Sequence, residues 1–231
     1  MSTRPTAARA AVIIFVKAPQ PGHVKTRLIP GFGAEGAAAL YRAMAEDMLE
    51  RLSELKRVRM EIRFTPARDY TLVRRWLGIR RRLVPQRGAD LGSRMLAACR
   101  AAFRDGSDRC VIVGSDVPEL SAGLVDEALE KLARHDLVLG PSRDGGYYLM
   151  GMRKPLPALL TAMPWSTAQV YEETLRRARG LGLSIGRLRR LADIDTPEDV
   201  SRLARRLRAR RGARSRLPRV AAWLRGVGAR E

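Results

Sequence analysis

Ala10-Ala11-Val12-Ile13-Ile14-Phe15-Val16-Lys17-Ala18-Pro19-Gln20-Pro21-Gly22-His23-Val24-Lys25-Thr26-Arg27-Leu28 passes in one step from an apolar run to a basic loop. A strand with one wet face alternates apolar and polar residues. Ala11 to Val16 does not alternate and is rich in β-branched residues, so it is expected to be a strand buried on both faces, as in a parallel sheet. The residues that follow are rich in Pro, Gly and cations, which is turn chemistry and not helix chemistry.

Outward from this stretch, strand and helix patterns alternate. Leu40, Tyr41, Met44, Met48, Leu52 and Leu55 recur at helical spacing. Val58, Met60, Ile62 and Phe64 alternate with Arg59, Glu61 and Arg63, which predicts a strand with one wet face. A short helix near Asp69 to Trp76, a strand near Arg82 to Pro85 and a helical stripe of Leu91, Met95, Cys99 and Ala102 come next. Cys110 to Gly114 and Leu137 to Gly140 are further buried strands, and Tyr147 to Met152 is a strand behind a Gly-Gly turn. Ser121 is placed to cap one helix, Thr167 a second, and Thr196-Pro197-Glu198-Asp199 starts a third with a cap, a first-turn Pro and acids at the positive helix end. The alternation predicts an α/β fold with a mostly parallel central sheet. In such sheets ligands bind beyond the carboxyl ends of the strands.

The chain has 231 residues, enough for one domain with a full core. Expected are one domain over 1–209 and a basic C-terminal extension over 210–231. No apolar run approaches the roughly 18 residues of a membrane helix, and no secretory pattern is seen, so a cytoplasmic protein is expected. Cys99, Cys110, His23 and His135 form no zinc-like spacing. The net charge is +20, and residues 202–231 carry eleven arginines against one acid. That asymmetry raises nucleic-acid or anionic-membrane contact by an amphipathic tail, against a terminal helix packed on the body through Leu217, Val220 and Leu224. No nucleic-acid-binding motif accompanies it.

The loops after the buried strands hold the chemistry-bearing residues. Lys17, Gly22, Lys25, Thr26 and Arg27 suit phosphate binding, by charge and by free amides, in a loop that matches neither the P-loop nor the dinucleotide fingerprint. Ser115 and Asp116 stand at the end of a central strand. A carboxylate there, beside phosphate, is what Mg²⁺ or Mn²⁺ uses. Asp193 and Asp195, one residue apart in an extended segment, point the same way and are candidates to join Asp116 as metal ligands. Asp144 is a candidate base, and Gly145 and Gly146 let backbone approach a substrate beside Tyr147. Asp90, Gly92 and Arg94 at a helix start suit an anion, while Trp165, Ser166 and Thr167 offer an aromatic face beside a cap. Each also has an ordinary structural explanation: a turn Asp, a helix-dipole acid, a core Trp.

Taken in order, Phe-x-Lys-x-Pro-x-x-Gly-x-x-Lys-Thr-Arg-Leu (15–28), Asp90-Leu91-Gly92-x-Arg94-Met95, Gly114-Ser115-Asp116-x-Pro118, Gly140-Pro141-x-x-Asp144-Gly145-Gly146-Tyr147-Tyr148, Trp165-Ser166-Thr167 and Asp193-Ile194-Asp195-Thr196 form a pattern. It resembles the radical-SAM/selenodomain-associated transferases, the arsenosugar-biosynthesis-type glycosyltransferases. It is similar in layout to 2-phospho-lactate and molybdenum cofactor guanylyltransferases. The resemblance covers about residues 11–208. One departure is Val117, where the family often has Cys. The resemblance implies a Rossmann-like GT-A (nucleotide-diphospho-sugar transferase) α/β/α sandwich, a nucleotide or nucleotide-sugar with a small-molecule acceptor, and Mg²⁺ or Mn²⁺. Glycosyl transfer, with Asp144 as base, is the first expectation. Nucleotidyl transfer, with Lys17, Lys25 and Arg27 cradling a triphosphate, is the alternative.

Overall fold

The computed structural model describes residues 10–209 and 216–228; the rest of the expected extension, 210–215 and 229–231, lies outside the described residues. Seven strands, β1 (Ala10–Lys17), β2 (Val58–Thr65), β3 (Leu83–Pro85), β4 (Arg109–Gly114), β5 (Leu137–Pro141), β6 (Tyr147–Met152) and β7 (Ile185–Arg187), form one sheet in the order β3-β2-β1-β4-β6-β5-β7. β1 pairs parallel with β2 and β4, β2 with β3 and β5 with β7, while β6 runs antiparallel to β4 and β5. The chain therefore leaves β1 toward β3 on one side and returns to β4 on the other. The crevice between the carboxyl ends of β1 and β4 is the switch point where such sheets bind ligands.

The helices are α1 (Ile29–Leu52), α2 (Tyr70–Leu77), α3 (Leu91–Arg104), α4 (Ala122–Lys131), α5 (Pro157–Leu160), α6 (Val170–Gly180), α7 (Pro197–Ala209) and α8 (Pro218–Gly228). Side chains of β1 alternate between two cores. Val12, Ile14 and Val16 meet Met48 and Leu52 of α1, with α2 and α4. Ala11, Ile13 and Phe15 meet Met95 and Cys99 of α3, with α5 and α6. This is a three-layer α/β/α sandwich, as the continuous apolar run predicts. Each fully buried Ile or Val contributes about 1.5–3 kcal/mol over exposure.

Several starts and stops obey local rules. Ser121 caps α4 by accepting from the Leu124 amide. Thr196 accepts from the Asp199 amide at 3.3 Å, and Asp199 accepts back from the Thr196 amide at 2.9 Å, a reciprocal cap for α7. Thr167 does not cap α6: Gln169 holds that position without a side-chain bond, and the Thr167 hydroxyl donates to the Pro164 carbonyl.

The expected wet face of β2 is absent. Glu61 and Arg63 are buried, and the Arg63 guanidinium donates to Glu61 at 2.6 Å, with Arg82 at 2.8 Å on the other carboxylate oxygen. On this face Arg59 donates to the Ala102 carbonyl in α3, so the end of that helix packs over β2, and the charges persist there only by pairing. The third core cluster joins the first half of α1 to α7 and α8. Leu217, Val220 and Ala221 are buried, and Asp47 of α1 accepts from the Arg219 and Val220 amides at the start of α8. The apolar face of this helix is thus covered by the body of the molecule.

Candidate functional site

The site is built where β1 and β4 end. After β1 the chain turns at Gly22, whose φ of +80° suits glycine, and Lys25 takes a left-handed φ of 49° before a short 3₁₀ turn at Thr26–Leu28. That conformation, uncommon for lysine, directs its side chain inward. The Lys25 side chain is 5% exposed, and its Nζ lies 3.0 Å from Asp116 Oδ1 and 2.7 Å from Asp195 Oδ1. Asp116 follows β4. Asp195 reaches the same point because the Ile194 amide donates to the Asp116 carbonyl at 3.1 Å. Burial pulls the Lys25 pKa down, but the Asp116 and Asp195 carboxylates outweigh it and hold the ammonium above its ordinary value.

Beneath the cation lies a hydrogen-bonded floor. The Lys17 amide donates to Tyr41 Oη at 2.7 Å, and Tyr41 Oη and Ser115 Oγ are 2.9 Å apart. With one lone pair already engaged, the phenol proton is free to go to Ser115. Burial, then the Asp116 charge, raises the Tyr41 pKa, so the phenol stays neutral. The cleft above is lined by Lys17, Lys25, Thr26, Arg27, Asp116 and Asp195, with Val24 and Tyr41. Its volume of about 160 Å³ is below the ~300–1,000 Å³ typical of a pocket that encloses a whole ligand. Polar and cationic, it suits the charged end of a larger molecule.

Sequence reasoning assigned Tyr41 to the core by its helical spacing and had no signal for its hydroxyl. The other expected residues stand apart from this cleft. Asp193 is half-buried, and burial first, then the Asp144 carboxylate, pushes it up to about 6. Asp144 shapes its own turn: its Oδ1 accepts from the Gly146 amide at 2.9 Å and from the Ser142 hydroxyl. Gly145, at φ +89°, packs its α-carbon on the Ala168 backbone, and the Tyr171 amide donates to its carbonyl at 2.9 Å. Tyr147 and Trp165 meet edge to face, with centroids 6.4 Å apart, against the α3 core. Gly92 lies under the Leu160 carbonyl and the Trp165 ring, where no Cβ fits. Asp90 caps α3 through the Ser93 amide, and Arg94 donates to the Gly88 carbonyl at 3.0 Å. Ser166 and Thr167 are exposed, Ser166 at φ 65°.

The family model described as "Uncharacterized protein conserved in bacteria (DUF2064)" matches residues 48–167. The chain belongs to the DUF2064 family. This DUF2064 member is also 32% identical over 197 residues to the 3-phospho-D-glycerate guanylyltransferase of Phenylobacterium zucineum (strain HLK1), covering 78% of this chain and 84% of that protein. It is 37% identical over 92 residues to the 2-phospho-L-lactate guanylyltransferase of Methanopyrus kandleri, covering 38% of this chain and 46% of that protein. A crystal structure from Desulfovibrio desulfuricans G20, assigned as a nucleotide-diphospho-sugar transferase, superposes with a TM-score of 0.89 at 37% identity, over 96% of each chain. The chain therefore has the nucleotide-diphospho-sugar transferase fold and stands among nucleotide-dependent transferases. Its kinship runs to guanylyltransferases. Among structures that share the fold alone, Rv0371c of Mycobacterium tuberculosis H37Rv was crystallised with manganese (TM-score 0.51, 12% identity, 84% of this chain and 97% of that chain). No described helix is long and apolar enough to cross a membrane.

Two carboxylates, Asp116 and Asp195, converge on one point. Among the described residues no group of three or more His, Cys, Asp or Glu side chains forms a metal cage. Mg²⁺ is habitually held by one or two carboxylates and completed by water and substrate phosphates. The residues fit that use, and they do not make a site that would hold a metal alone.

Proposed function

We propose that this chain is a nucleotidyltransferase that moves a nucleoside monophosphate, guanylyl by kinship, from a nucleoside triphosphate to a phosphate oxygen of a small phosphorylated acid. The observation that carries the reading is the cationic cleft at the switch point, where Lys17, Lys25 and Arg27 gather around Asp116 and Asp195. A nucleoside triphosphate brings one phosphate more than a nucleotide-diphospho-sugar, and three cations suit that longer polyanion. Glycosyl transfer, the first expectation from the sequence, gives way here, because the sequence relatives carry guanylyltransferase names.

In this reading an acceptor phosphate oxygen bonds to the α-phosphorus, the bond from that phosphorus to the α–β bridging oxygen breaks, and pyrophosphate departs. The nucleophile requires little help. A phosphate monoester has its second pKa near 6, so at pH 7 it is already mostly dianionic. Asp144, held in its own turn, is then not needed as a base. Lys17, Lys25 and Arg27 would neutralise the triphosphate and orient it. Asp116 and Asp195 would hold Mg²⁺ or Mn²⁺, which when bound supplies Lewis-acid stabilisation of the charge on the phosphoryl oxygens.

The test is a product assay with Mg²⁺. GTP is offered with 3-phosphoglycerate, 2-phospholactate or phosphoenolpyruvate, and nucleotide-diphospho-sugars are offered in parallel. Expected are pyrophosphate and a guanosine-diphosphate-linked acid, formed one to one. Release of a nucleoside diphosphate from a sugar donor, with no pyrophosphate from any triphosphate, would return the chain to glycosyl transfer.

A further inference from the structure

Lys25 is almost wholly removed from water, although lysine ordinarily keeps its ammonium hydrated. The loop after β1 adopts a left-handed residue to bring it there, and the Leu28 amide bonds back to the Lys25 carbonyl at 2.8 Å to hold the turn. Among the described residues neither Asp116 nor Asp195 has another ion-pair partner. We propose that the Lys25 ammonium occupies the divalent-cation position between Asp116 and Asp195 in the nucleotide-free protein, so that metal enters together with a polyphosphate and not before it. This rests on the phosphate-binding cleft of the proposed function.

The charges explain the coupling. Two carboxylates and one ammonium leave a single negative charge, too little to draw a divalent ion strongly. A divalent ion that entered alone would expel Lys25 from both counter-charges into a cleft already lined by Lys17 and Arg27. A triphosphate changes this balance, because its oxygens take over the displaced ammonium while the ion neutralises the two carboxylates. Metal and nucleotide then each raise the affinity for the other by the same factor, as linkage requires. Lys25 is in this account a place-holder that keeps two carboxylates from repelling each other and keeps stray metal out.

The experiment titrates the full chain with Mn²⁺ and follows the loss of the free aqua-ion signal by electron paramagnetic resonance. It is done without nucleotide, then with a GTP analogue whose α–β bridge is methylene. The wild type is expected to bind Mn²⁺ alone about tenfold or more weaker than with the analogue, within the usual range of such couplings. Lys25→Met is expected to bind Mn²⁺ alone about tenfold tighter than the wild type and to gain less from the analogue than the wild type does. Lys25→Gln keeps a donor between the carboxylates and takes the place of the Met variant if that one does not fold, as judged by circular dichroism. Equal Mn²⁺ affinities without nucleotide in wild type and variant would overturn the proposal. Tighter Mn²⁺ binding by the variant, with no analogue effect on the wild type, would overturn the joint entry of metal and polyphosphate, and the nucleotidyl reading with it, and leave Lys25 as a place-holder alone.

Discussion

Tyr41 is the residue on which the floor of the cleft turns. Its hydroxyl accepts from the Lys17 amide and meets Ser115, joining the ends of β1 and β4 through α1. Removing it leaves the buried Ser115 hydroxyl short of a partner, at a cost of about 1–3 kcal/mol, while the partly buried Lys17 amide can turn to water. Tyr41→Phe should therefore lower the unfolding free energy by about 1–3 kcal/mol, measured in urea. Combined with Ser115→Ala it should show a coupling of at least about 0.5 kcal/mol, since the two share one bond. Strict additivity of the two substitutions would mean that Ser115 finds its partner elsewhere. Near this floor, sequence reasoning saw every cation and carboxylate of the cleft but not the phenol. A Tyr on an apolar stripe reads as core, and only the approach of α1 to the strand ends gives its oxygen a duty.

Among the elements, α6 shows how local charge patterning stabilises a distant loop. Glu173 takes both Arg176, at 2.7 Å, and Arg177, at 2.6 Å, within its own helix. Arg177 then donates to the Thr161 and Ala162 carbonyls at 2.6 and 2.8 Å, holding the segment that covers Gly92. Hydrogen bonds from Arg176 and then Arg177 pull the Glu173 pKa from its ordinary 4.5 down to about 2. A folded-state pKa below the unfolded value gives stability that is complete above pH 4.5 and is lost as pH falls toward 2. The urea midpoint of the wild type should fall more steeply across this window than that of Glu173→Gln. Parallel slopes would show that the pairing has no net effect on folding. α6 starts beyond the expected Thr167 cap, because the Thr167 hydroxyl is bonded to Pro164 and sits ahead of the helix. β7 and α5, three and four residues long, carry too few positions to display a period. The longer elements display theirs, and α3 and β4 to β6 lie within a residue or two of their expected bounds.

At the scale of the molecule, a net charge of +20 sets the long-range electrostatics. Self-repulsion disfavours the compact state and is screened by salt, with a Debye length that shrinks from about 30 Å at 0.01 M to about 8 Å at 0.15 M. The buried Glu61–Arg63 pair is screened far less. The melting temperature should therefore rise as NaCl increases over that range, in the absence of phosphate or sulfate. A fall would mean that exposed ion pairs outweigh the repulsion.

The sequence by itself determined the α/β sandwich and the edge of the sheet where chemistry gathers. A continuous apolar run such as Ala11–Val16 has only one stable place, between two layers of helices, and its basic loop must then emerge at the carboxyl edge. Tertiary structure alone decided what those loop residues do to one another. Lys25 and Asp195 are 170 residues apart, and no local pattern encodes that an ammonium from one will be buried against a carboxylate of the other. The same holds for Glu61 and Arg63, whose alternation promises solvent until the end of α3 packs over that face of β2. Periodicity reports which face of an element is apolar. The partner of a charge is fixed by which loops the topology brings together, and by the cost of leaving that charge unpaired once water is gone.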